Sequence, residues 1–221
     1  MMRKFEFYEF AAILVPGMIV LVGIVLGWPE SGAPCVLDLS VGGFGVGTIL
    51  AFAAGHLVQA IGNLIEKAWW WTWSGMPTDW IRSSKHSLLA AKQRALVESA
   101  ARELLSDSEF RFTSDLSKAD WYAIVRQIYA AVQRDGRPGR IDTFNSNYGL
   151  NRGIAAAFLS LAAILAVVNW PGWAVILLLF GGAAVALCRM HRFGVHYGRE
   201  LFVQFLASAT ASSVESAEED S

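Results

Sequence analysis

The sequence predicts an all-α integral membrane protein with four transmembrane helices and a helical cytoplasmic layer, and three observations carry that prediction. Of 221 residues, 54% are hydrophobic and only 17% are charged, against about a quarter charged in an ordinary soluble domain, and the mean hydropathy is +0.40. Four apolar stretches approach or exceed the roughly 20 residues that cross a bilayer as a helix. All 18 lysines and arginines fall before Phe10, between Lys67 and Arg152, or after Cys188, so the two short connections on the opposite side hold none. The positive-inside rule then places both termini and the middle of the chain in the cytoplasm.

The first pair of spans occupies residues 1–66. Arg3 and Lys4 precede an apolar run from Phe10 to Trp28, interrupted by Pro16 and Gly17, where a kink is expected. The run is longer than the roughly 7–15 residues of a signal-peptide core and is read as a retained helix. PESGAPCVLDLS, without a basic residue, forms an outer connection. The second span, VGGFGVGTILAFAAGHLVQAIGNLIE, organises the chain. Gly43, Gly47, Ala51 and Gly55 recur every four residues as a smooth ridge for close helix packing. His56, Gln59, Asn63 and Glu66 share one side of the same helix as a polar stripe. Trp69, Trp70, Trp71 and Trp73 follow at its inner end, suited to an interfacial belt; a ligand-binding aromatic box is the alternative.

Residues 67–148 form the cytoplasmic helical region. One helix is expected from a cap at Ser83 or Ser84 to about Leu105, and SDSEFRFTSDLSK reads as a loop with a short extended piece at Phe110 to Thr113. A second helix places Trp121, Val125, Ile128 and Val132 on one side and ends at Gly136. Arg134, Arg137 and Arg140 make a basic edge suited either to anionic lipid headgroups or partners, or to solvent. Residues 149–207 supply a second hairpin, turning at Trp170 to Trp173, and an amphipathic continuation with Phe193, Tyr197, Leu201 and Phe205 at spacing four. Residues 208–221, small, polar and acidic, are expected to be disordered.

No catalytic, cofactor or metal site is expected. His191 and His196 are five apart, poorly placed for one helix side, and neither a metalloprotease histidine motif nor a cysteine pair accompanies the four histidines. Cys35 and Cys188 fall on opposite sides of the membrane in this topology, which argues against an intrachain disulfide. The glycines from Gly42 to Gly47 precede no lysine-serine pair and lie in an apolar span, which favours close helix packing over a phosphate loop, and a net charge of -1 argues against a nucleic-acid partner. The polar stripe has two readings. It lines an intramembrane path on which His56 titrates, or it bonds neighbouring helices together.

The opening FEFYEFAAILVPGMIVL, through Phe7, Tyr8, Glu9, Phe10, Pro16 and Gly17, resembles small multi-pass bacterial inner-membrane proteins encoded beside antiphage defence genes. GHLVQAIGNLIEK and the arginine of FNSNYGLNRG, Arg152, are similar to them too. The resemblance implies a membrane component of a defence module, a sensor or an effector that perturbs the membrane. A homo-oligomer in contact with membrane lipids is the first functional expectation. The second is an anchor or scaffold recruiting a cytoplasmic protein partner without conduction; neither is an enzyme.

Overall fold

The computed structural model describes residues 7–27, 41–83, 86–134, 136, 139–168 and 170–219. The regular structure of these residues is entirely helical: α1 (Phe7–Gly27), α2 (Val41–Thr72), α3 (Pro77–Trp80), α4 (Ala91–Leu105), α5 (Lys118–Arg134), α6 (Gly139–Val167) and α7 (Trp173–Glu219). Four of them, α1, α2, α6 and α7, are long and apolar enough to cross a membrane. The connection after α1, with Cys35, lies outside the described residues, as does Arg137.

Two compact units divide the chain. The first comprises Met1–Trp69 and Ser146–Phe193. Its centre is Val20 of α1, Val58 of α2 and Ala156 and Ala157 of α6, with Ile19, Ile24 and Ile65 packed against them. Apolar burial alone does not distinguish one helix pairing from another in lipid, so close backbone approach has to do it. Gly17 and Gly55 supply that approach reciprocally. A methyl group on Gly17 would collide with the Ala51 carbonyl oxygen and stand 2.6 Å from the Gly55 nitrogen, and one on Gly55 would collide with the Ile13 carbonyl group. Ala51 and Gly55, half of the expected ridge, are therefore spent on α1. Gly47 is buried, Gly43 partly so, and Gly42 and Gly45, off the ridge, face open space.

The second unit comprises Trp70–Asn145 and Gly194–Ser221. Phe112 meets Trp121 edge-on with centroids 5.7 Å apart, and Trp121 stacks on Phe202 at 6.4 Å. α5 buries Trp121, Ile124, Ile128 and Val132, the stripe expected from periodicity with Ile124 in place of Val125. Gly136, at φ +73°, takes the left-handed conformation just beyond α5. α4 starts at Ala91 rather than at Ser83 or Ser84. Leu88 and Leu89 are both buried ahead of it, and the Ser87 hydroxyl donates to the Leu89 carbonyl at 3.1 Å, so tertiary burial outweighs helix propensity there. Phe110 to Thr113 form no strand. Side chains of α4 hold them instead: Arg94 donates to the Phe112 carbonyl at 2.9 Å, Arg102 to that of Phe110 at 2.9 Å, and the Glu98 carboxylate accepts the Phe112 N–H at 2.9 Å.

α6 and α7 are each single helices through the junctions at which amphipathic and apolar segments meet. α7 continues to Glu219, through the stretch where composition gave no regular structure. Extending an existing helix avoids the unfavourable nucleation that an isolated Ala/Glu/Ser segment faces.

Candidate functional site

The most developed polar arrangement lies within the first unit, where α1, α2 and α6 meet. It begins with a missing atom. Pro16 has no N–H, so the carbonyl of Ala12, four residues earlier in α1, lacks its helical donor. At membrane depth no water replaces it, and an unbonded backbone group costs several kcal/mol. Gln59 of α2 fills the gap, its Nε2 donating to the Ala12 oxygen at 2.6 Å. That donation fixes the amide's orientation and leaves Oε1 pointing at α6, where it accepts from Arg152 Nη2 at 2.9 Å. The other arm of the guanidinium, Nη1, donates to the Glu66 carboxylate.

Small residues make room for this arrangement. Gly62, between Gln59 and Glu66, leaves space for the arginine stem: a methyl group there would press to 3.3 Å on Arg152 Cγ. Gly153 does the same for the glutamine, since its missing methyl would stand 2.8 Å from Gln59 Nε2 and 2.6 Å from the Pro16 ring. The Arg152 and Glu66 side chains retain only 22% and 18% of their accessibility. Arg152 Nε is buried with no hydrogen-bond partner among the described residues. Chemically the arrangement is a clamp that satisfies a proline-freed carbonyl, an amide and an ion pair in one connected set.

The expected polar stripe is thus divided. Gln59 and Glu66 enter the clamp, whereas His56 and Asn63, each about 60° further round α2 from its clamp neighbour, are exposed. Around these two, Leu57 is 72% and Leu64 65% exposed, and the His56 ring meets that of Phe52 edge-on at 4.7 Å. The tryptophans also separate. Trp69 donates through Nε1 to His191 Nδ1 at 3.3 Å within the first unit. Trp70, 3% exposed, packs edge-on to Trp80 in the second unit. Trp71 is 83% exposed, and Trp73 lies 6.3 Å from the His86 ring. Arg134 is exposed; Arg140 stands 3.6 Å from the Glu200 carboxylate and over the Phe144 ring. Among the described residues no three His, Cys, Asp or Glu side chains converge as metal ligands.

Arg152 is the residue that spacing alone missed as a partner of α2. An arginine directly ahead of a span, with an unpaired carboxylate at the matching end of another, is the signal that finds it. Fold and site together define a helical protein with four membrane-length helices, three of them locked by a polar clamp. No family model, no curated protein and no solved structure matches the chain.

Proposed function

We propose that this chain is a homo-oligomeric sensor or effector of the bacterial inner membrane, both termini and the second unit on the cytoplasmic side, assembling through the outward face of α2. The distribution of lysine and arginine supports that orientation. One observation carries the assembly. His56 and Asn63, seven residues apart, are exposed on an apolar face of a membrane-length helix. Polar groups of this kind cost about 4–8 kcal/mol each to place in hydrocarbon without a partner. A neighbouring copy presenting the same pair supplies partners, and the small Ala60 between them permits close approach. In such an assembly His56 and Asn63 line or seal the contact, which is where a membrane-perturbing state would open. The resemblance to proteins encoded beside antiphage genes favours a role in defence.

A second reading, an anchor for a cytoplasmic partner without conduction, draws on Gln59 and Glu66. Both are consumed by Arg152, which leaves only two side chains of the stripe for any path. Ala60→Cys, in a background with Cys35 and Cys188 changed to serine, tests assembly by oxidative cross-linking in native membranes. A potential-sensitive dye on induced cells tests conduction. The first reading expects a cross-linked dimer, and depolarisation that His56→Leu and Asn63→Leu abolish. A cross-link without depolarisation, wild type and variants alike, supports the anchor; no cross-link refutes assembly through this face.

A further inference from the structure

We infer that the inner end of the first unit carries a collar that selects anionic phospholipid, built from Lys67 of α2 and Arg189 and Arg192 of α7. The bond from Trp69 to His191, with the two rings 6.1 Å apart, sets the register between these helices. Lys67 and Arg189 each precede that contact by two residues, and Arg192 follows it by one. At about 1.5 Å of rise per residue, all three charges attach within about 5 Å of one another along the helix axes. They therefore share one depth. That depth follows from α7 itself: from Trp173, the exposed aromatic residue at its other end, to Arg189 and Arg192 is about 24 and 28 Å of helix, close to the hydrocarbon thickness of about 30 Å.

The three cations are exposed, and among the described residues none has a carboxylate within ion-pair distance. The acid nearest in sequence, Glu66, is already held by Arg152. Arg189 lies over the Phe193 ring at 5.5 Å, which orders its guanidinium without neutralising it. Trp69 and His191 add an amphipathic surface of the kind that sits among headgroups. Uncompensated charge at headgroup depth, on two helices held in register, fits the phosphodiester of phosphatidylglycerol or another anionic lipid. Zwitterionic headgroups carry their own cation beside the phosphate and gain less.

The test uses the purified full chain in mixed phosphatidylcholine and phosphatidylglycerol micelles, with lipid retention read by native mass spectrometry. The wild type should retain phosphatidylglycerol preferentially. Lys67→Gln, Arg189→Gln and Arg192→Gln should each lower that preference roughly fivefold. Circular dichroism of the triple variant should match the wild type, because all three side chains are exposed. Three results overturn the inference: no preference in the wild type, unchanged preference in the triple variant, or loss of preference in Arg134→Gln with none in the triple variant. Displacement of the lipid by soluble glycerol phosphate also overturns it, since the collar would then be a general anion site.

Discussion

Replacing Gln59 by leucine tests whether the clamp exists to serve the proline. The substitution keeps the volume and removes both polar atoms. It leaves the Ala12 carbonyl without a donor, for about 1–3 kcal/mol, and removes an acceptor from a charged guanidinium, worth about 1.5–3 kcal/mol in water-soluble proteins. Hydrogen bonds between membrane helices measure smaller, about 0.6 on average and up to about 1.7 kcal/mol, because separated helices find other partners. A net loss of about 2 kcal/mol is therefore expected for Gln59→Leu. Pro16→Ala changes the arithmetic, because it restores the N–H that bonds Ala12 within α1. In that background Gln59→Leu orphans nothing in α1, and its cost should fall by about 1 kcal/mol. Both singles and the double are compared by equilibrium unfolding in dodecyl sulfate mixed micelles, followed by circular dichroism. The cycle cancels the packing that Pro16 loses against Gly153. An equal cost of Gln59→Leu in both backgrounds would show that the amide does not stand in for the missing N–H, and the argument for the clamp would fail.

Gly17→Ala and Gly55→Ala should each destabilise the α1 and α2 pair by at least about 1–3 kcal/mol in the same titration, since the added methyl meets a backbone carbonyl that cannot swing aside. Gly45→Ala, where nothing lies within 4 Å, should be neutral or slightly stabilising; equal losses at all three would remove the case for a specific crossing. In the second unit, burial first and then the bond it donates to Asp142 at 2.6 Å push the Tyr129 phenol above its ordinary value of about 10. The protonated form is the one the fold favours. Its contribution is complete below pH of about 10 and is lost as pH rises through the folded-state value. Tyr129→Phe should remove one ionisation from the late part of the absorbance titration, and the variant should lose less stability than the wild type as pH climbs past about 10.

The four membrane-length helices and the side of α5 that is buried were legible because each depends on run length or periodicity within one segment. The division of the polar stripe was not. His56 and Gln59 are three residues apart, about 60° around the helix, which a sequence reading merges into one side. Where the edge of the buried arc falls depends on where α1 and α6 stand, and no local pattern in α2 contains that. The Arg152 pairing was hidden for a related reason. Glu66 and Arg152 each stand at the end of an apolar run, but nothing in either run says that α2 and α6, rather than another pair of the four long helices, are neighbours. The late start of α4 is a further case: consecutive leucines read as helix until the tertiary packing that buries them is in place.

That division separates two free energies. Gln59 and Glu66 are satisfied by Arg152 within a single chain, so the clamp contributes to folding of the monomer whatever its concentration. His56 and Asn63 have no such partner among the described residues, and in the proposed assembly their stabilisation would come from a second molecule and therefore depend on mass action. Substitutions in the two pairs should consequently behave differently although their residues alternate along one helix. Changes at Gln59, Glu66 or Arg152 lower monomer stability, and assembly falls only as a consequence. Apolar replacements at His56 or Asn63 leave monomer unfolding unchanged, or raise its midpoint, while assembly weakens. Unfolding and cross-linking measured on the same two sets of variants separate these cases. Parallel losses in both sets would mean that α2 carries one continuous polar seam, and the proposed oligomer face would have to be given up.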